Sequence, residues 1–260
     1  MTRSSWVAVL VGFGGALLAS SLLSPPLAAE PPLHPAAPPT SAPSAPASAP
    51  APIAPGLEEP ALTRPQRQWK WIAGAAGDDC KEKLAATGAK FRPALEAKKP
   101  DAKGCGVPHG VVLTRGPTGL AYSPPIYIDC SLALRLVEVE AVIQEEAMAE
   151  LGAPAVKAAT LGSYACRGVI GRLRGWTGGI SEHSFGNAFD VTRIDARNGK
   201  RASVMKSLRP GEAPTTAEGR FLAQIARRLR REVGVRVLGP DFDPSHRDHL
   251  HIDAGSPWYR

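Results

Sequence analysis

No Cys-x-x-Cys pair occurs anywhere in the 260 residues, and cysteine is scarce, with four in all. A four-thiolate zinc site draws its ligands from such pairs, so Cys80, Cys105, Cys130 and Cys166 are expected to form disulfides instead. No cysteine follows the apolar run near the start, which argues against a lipid-anchored protein. No internal repeat stands out, so the chain is not read as a repeat array. Large apolar side chains are nearly missing from Pro25 to about Pro65, where Pro, Ala and Ser dominate. Such a stretch cannot offset the entropy of ordering and is expected to be an extended, disordered tether. Histidine is sparse too: there are six, of which His34 sits in the tether as a bystander and three crowd into HRDHLHID, residues 246–253.

What is present divides the chain into three. Residues 1–29 open with Thr2, Arg3 and Ser4 and continue as an uncharged apolar run from Trp6 to Leu23, with small residues at Ala28 and Ala29. This reads as a secretory signal cleaved after Ala28 or Ala29, the alternative being an uncut membrane anchor. Residues 30–65 are the tether, and residues 66–260 are long enough to bury one core. Export into a periplasmic or other extracytoplasmic, oxidising compartment suits two disulfides. Four cysteines allow three connectivities, of which sequential pairing, Cys80 with Cys105 and Cys130 with Cys166, is expected.

The fold class expected for the last region is α+β, with a small, mainly antiparallel sheet flanked by amphipathic helices. Ser131–Leu151 places Leu134, Val137, Val139, Val142 and Ile143 near helical spacing, with Ser131 as cap and Gly152 as stop. Thr215–Gly234 puts Phe221, Leu222, Ile225, Leu229 and Val233 on one stripe with arginines opposite. The sheet is expected from VKAATLGSYAC, NAFDV, VRVLG and HLHID.

Within HLHID, alternation sends His249, His251 and Asp253 to one face of a strand and Leu250 and Ile252 to the other. SEHSFGNAFDV carries His183 and Asp190 on either side of a turn at Gly186 and Asn187, so both side chains can converge on one cation. With His251 they make a two-histidine, one-carboxylate set that leaves a fourth tetrahedral position open, as a catalytic rather than a structural zinc site requires.

The motif SxHxxGxAxD, here Ser181, His183, Gly186, Ala188 and Asp190, followed by HRDHLH, resembles the signature of zinc D-Ala-D-Ala metallopeptidases and murein endopeptidases. An exported chain with a proline-rich leader and this C-terminal region is similar to the bacterial extensin-like C-terminal family. The resemblance implies that His183, Asp190 and His251 bind Zn2+. It also implies that Asp248 is the general base, although a strand running through Asp248 would turn it away from the metal. Asp248 must then lie in the preceding loop, or His249 takes the role. His246 matches an oxyanion-stabilising histidine and Arg167 a substrate-holding arginine; a surface arginine beside the disulfide is the alternative for Arg167. Ser181 lies beside the ligands, either on the substrate side or as a structural or hydrogen-bonding partner behind them, and Tyr164 is read as such a structural or supporting residue. His109 matches nothing and is read as a loop residue.

The implied activity is hydrolysis of peptidoglycan stem-peptide or crosslink bonds involving D-amino acids, and the alternative is a wall-binding module that keeps the zinc but does not cut. Basic residues exceed acidic ones, 31 to 24, partly through Arg227 to Arg236. That run suits an anionic envelope surface or a solvated helix face; export disfavours nucleic acid. A monomer is expected.

Overall fold

Thr63 opens the first helix. Its hydroxyl accepts from the backbone N–H of Gln66, the Gln66 side chain accepts from the Thr63 N–H at 2.8 Å, and Pro65 sits in the first turn. The helix α1 (Arg64–Ala76) is therefore capped by its own sequence, and it begins two residues inside the expected tether. The structure, a computed structural model, describes residues 62–97, 99–169 and 179–255. The apolar run, the tether up to residue 61 and His34 lie outside them. The described residues all fall in one unit, Glu58–Arg260.

After α1 come α2 (Cys80–Ala86), β1 (Lys90–Pro93), β2 (Gly110–Arg115), β3 (Ala121–Asp129) and α3 (Cys130–Glu146). Then follow β4 (Ala155–Gly162), β5 (Ala188–Ala196), β6 (Arg201–Ser203), α4 (Val204–Ser207), α5 (Ala217–Arg228), β7 (Arg236–Leu238) and β8 (Leu250–Asp253). The described strands form one sheet in the order β1-β2-β3-β4-β5-β8-β7, with β6 also paired to β5. All pairings are antiparallel except β3 with β4. The α+β class with a mostly antiparallel sheet stands, but the sheet is larger than expected. Pro124 and Pro125, which obscure β3 in the sequence, fall between its ladder with β2 and its ladder with β4, where no backbone donor is required.

Both long helices are where periodicity placed them. The first is capped by Asp129, whose carboxylate accepts from the Ser131 N–H at 2.9 Å, rather than by Ser131. Its buried stripe runs through Leu132, Leu136, Val139 and Ile143, and Val137 faces solvent at 43% exposure. Of the expected stripe, Val139, Val142 and Ile143 are buried and Leu134 packs partly buried against the core, so only Val137 falls on the solvent side. α5 and the π turn after it bury Phe221, Leu222, Ile225, Leu229 and Val233 as expected. Both helices finish in a π turn, Ala147–Leu151 and Leu229–Val233, before a left-handed glycine, Gly152 and Gly234. They cover the sheet face that carries Phe189, Val191, Leu250 and Ile252.

The disulfides are Cys80–Cys130 and Cys105–Cys166, so the sequential pairing is incorrect. Cys80 opens α2 and Cys130 opens α3, and β3 returns the chain to bring the two helix starts together. Cys105 and Cys166 lie in loops that both hydrogen-bond to Ser184, one through Gly106 N–H to its carbonyl and one through Arg167 N–H to its hydroxyl. Among the described residues no helix is long and apolar enough to cross a membrane.

Candidate metal centre

The antiparallel register of β5 and β8 pairs Asp190 with His251, and Phe189 and Val191 with Ile252 and Leu250. Partners in a ladder point to the same face, so the apolar pairs enter the core while Asp190 and His251 stand together on the opposite side. Nδ1 of His251 is 3.0 Å from Oδ1 of Asp190. The third member arrives on a 3-10 turn, Glu182–Phe185, that ends at Gly186 with φ 66°. An added Cβ at Gly186 would stand 2.8 Å from the Asp129 backbone nitrogen, so glycine is required for both conformation and space. The turn places Nε2 of His183 3.0 Å from Nδ1 of His251 and 3.3 Å from Oδ1 of Asp190.

Hydrogen bonds behind the two rings decide which nitrogens carry protons. Nδ1 of His183 lies 2.6 Å from the Ser163 carbonyl, which can only accept, so His183 donates there and keeps a lone pair on Nε2. Nε2 of His251 lies 2.8 Å from Oδ2 of Asp253, which leaves a lone pair on Nδ1. Burial works against charge on Asp253, but the bond from His251 and the guanidinium of Arg236, 2.8 Å away, hold its carboxyl below the usual range. Three acceptors therefore face one another, and such a set calls for a cation. Without a metal a proton serves: burial opposes it, but Asp190 and Asp253 push His251 up to about 9. The same two imidazoles outweigh burial at Asp190 and hold that carboxyl well below its ordinary value.

The donor set fits a zinc ion. Ligands about 2.0–2.1 Å from zinc at tetrahedral angles stand roughly 3.3–3.4 Å apart, close to the separations here. Carboxylate–histidine support of the kind Asp253 gives His251 is usual for metal-bound imidazoles. A second group of three, Asp101, Cys105 and Cys166, does not fit, because its sulfurs are bonded to each other and supply no thiolate.

Around the triad stand most of the remaining expected residues. Asp248 lies in the turn before β8, not in the strand, and its Oδ1 is 2.9 Å from Nδ1 of His249. Nε2 of His249 faces the cluster, 3.7 Å from Oδ1 of Asp190. The ring of His246 lies 5.2 Å from that of His249 and 5.8 Å from that of His251, with Nδ1 bonded to Asp243 at 2.9 Å. Burial lowers the pKa of His246 despite the Asp243 carboxylate. Ser181 is buried at the N-terminal end of the His183 turn. Arg167 is tied through its backbone to Ser181 and Ser184, and its guanidinium reaches the Gly168 carbonyl at 3.4 Å. His109 lies apart, bonded to the Ala73 carbonyl at 3.2 Å.

Several supporting groups escaped sequence reasoning. The Ser163 carbonyl leaves no side-chain signal. Glu182 adjoins His183 in the chain yet is buried, its carboxylate accepting from Asn187 at 2.7 Å and from Gln68 at 3.0 and 3.2 Å. Burial, reinforced by the charge of Asp253, pushes Glu182 up to about 7.

The fold and site together define a mixed α+β protein whose sheet presents a buried two-histidine, one-carboxylate cluster able to hold one divalent ion. The chain belongs to the extensin-like family: residues 78–258 match the family described as Extensin-like protein C-terminus. Comparison with curated proteins and with solved structures finds no match.

Proposed function

We propose that the protein is an exported, zinc-dependent peptidase that hydrolyses stem-peptide or crosslink bonds of peptidoglycan. The observation that carries this reading is the convergence of three lone pairs, on His183, Asp190 and His251, beside a fourth group, His249, that is not needed as a ligand. A divalent ion held by the three would polarise the scissile carbonyl and acidify a water molecule. His249 stands on the same side with a lone pair on Nε2, because its Nδ1 donates to Asp248, and it is a proton acceptor beside the cluster. It takes the proton and returns it to the leaving amine, while Asp248 steadies the charged ring. Asp248, expected first as the base, thus acts through His249. The hydrogen bond from His249 holds the Asp248 carboxyl below its usual range, which suits that supporting role.

His246 donates through Nδ1 to Asp243, so only its protonated form could donate to an oxyanion, and burial disfavours that form. Arg167 is the better group for a substrate carbonyl or carboxylate, which a guanidinium fork suits. An extracytoplasmic location is supported by the two disulfides. Contact with an anionic envelope surface would fall to Arg227, Arg230 and Arg231. Arg228 is already held by Glu145, Glu146 and Glu232, and Arg236 by Asp253.

Incubation of the zinc-loaded protein with purified muropeptides, followed by mass analysis, tests the proposal. New fragments are expected, absent with His249→Ala and His251→Ala. Tight binding with every muropeptide left intact would instead support a non-catalytic wall-binding module.

A further inference from the structure

Behind the donor set lies a second polar layer that the proposed chemistry does not use. Glu182 is 3% exposed and Asp253 0%. With Asp190 they place three carboxyl groups about the cluster, and among the described residues the guanidinium of Arg236 stands beside Asp253. Asp253 is fixed by His251 and Arg236. Glu182 is fixed by Asn187 from within its own turn and by Gln68 from outside it. Oε1 of Glu182 receives its hydrogen bond among the described residues from Gln68 alone, at 3.2 Å.

Gln68 belongs to α1, which precedes residues 78–258, the span shared with the family. It is a buried polar residue, 4% exposed, one turn from the fully buried Ile72. The Glu182 carboxylate it holds is bonded to the Asn187 amide, which also donates to the Gly255 carbonyl at 3.1 Å. The Asn187 carbonyl accepts from the Ala254 N–H at 3.2 Å. A continuous set of hydrogen bonds therefore joins α1, the turn that carries His183, and the end of the strand that carries His251.

We infer that α1 is part of the metal centre, with Gln68 a positioning residue that fixes Glu182 and, through Asn187, the relative placement of His183 and His251. This rests on the proposal that the triad holds a divalent ion. A donor to a buried carboxylate cannot be replaced by an apolar group without leaving that carboxylate short of partners; the carboxyl must then take up a proton or the turn must move, and either change alters the bond to Asn187 on which the placement of His183 rests.

The test uses the full chain, with metal affinity read by competition against a chromophoric chelator and geometry by the visible absorption of the Co2+-loaded protein. Gln68→Leu and the milder Gln68→Asn are compared with Ile72→Val, which loosens the packing of the same helix without touching the relay. Both Gln68 variants are expected to weaken zinc binding, by about 10–100-fold for leucine, and to shift the Co2+ bands. Ile72→Val is expected to lower the Tm and leave affinity and bands unchanged. Wild-type affinity and spectrum in both Gln68 variants would overturn the inference while the metal-site reading stands. A wild-type chain that binds neither Zn2+ nor Co2+ would overturn that reading and the inference with it.

Discussion

Glu140 and the Asp190 cluster are buried acidic sites on different elements of this fold, and they are completed in opposite ways. Glu140, fully buried on α3, accepts from the Tyr122 hydroxyl at 2.7 Å, the Thr118 N–H at 2.8 Å and the Thr118 hydroxyl at 2.7 Å. Room for it comes from Gly116, where a Cβ would stand 1.5 Å from the carboxylate. Three donors meet one acceptor group, and the protein supplies all of them. At the other cluster Asp190, His183 and His251 turn three lone pairs toward one point, and the rings' own protons are already committed to Ser163 and Asp253. A buried polar network made for stability is closed by the chain, whereas one made for a ligand leaves a specific deficit.

The sharpest way to break this contrast is to remove a ligand. His183→Ala or His251→Ala is expected to weaken zinc binding by more than the about 10–100-fold of a supporting residue, and Glu140→Ala to leave it unchanged, both read by chelator competition. The disulfides extend the comparison. Loss of Cys80–Cys130, on the Glu140 side, should remove up to about 4 kcal/mol of stability from closure of its loop, with metal affinity retained. Loss of Cys105–Cys166 should lower both, because that bond anchors the loop running from Ser163 to Arg167; thermal melts with and without zinc separate the two. Glu140→Ala orphans the buried Tyr122 hydroxyl, while the two donors of the exposed Thr118 turn to water, and should destabilise by about 1–3 kcal/mol, seen in urea unfolding. Gly186→Ala, strained by about 1–2 kcal/mol in the left-handed region before any clash, should lower both Tm and affinity, since it moves the His183 turn against Asp129.

Acid gives the smallest effect and opposite signs. Burial raises the Glu140 carboxyl above 4.5, outweighing the bonds from Tyr122 and Thr118, so the native state binds its proton first. Relative to Glu140→Gln, the wild type should gain stability as pH falls through the window above 4.5. Asp190 is depressed, so it contributes stability above 3.8 that is lost as pH falls further. Relative to Asp190→Asn, the metal-free wild type should weaken below that value. Urea midpoints across the acid range read both.

Period-two alternation and a glycine turn were enough to bring His183, Asp190 and His251 together, because a ladder register and a tight turn are local devices with local signals. Alternation also put Asp253 on the His251 face, though not its bond to the ring. Gln68 and Glu182 had no such signal: their pairing depends on how α1 packs, across more than a hundred residues of chain. The disulfide pairing failed for the same reason, since it follows from where β3 returns the chain. In α3 the period was legible and the edge of the buried face was not, because Val137 is as apolar as the residues that are buried.

X-ray absorption at the zinc edge of the loaded full-length chain tests the central claim most directly. One zinc per chain is predicted, with only nitrogen and oxygen neighbours at about 2.0–2.2 Å and the imidazole scattering of two histidines. Sulfur neighbours near about 2.3 Å, or no stoichiometric zinc at all, would contradict it.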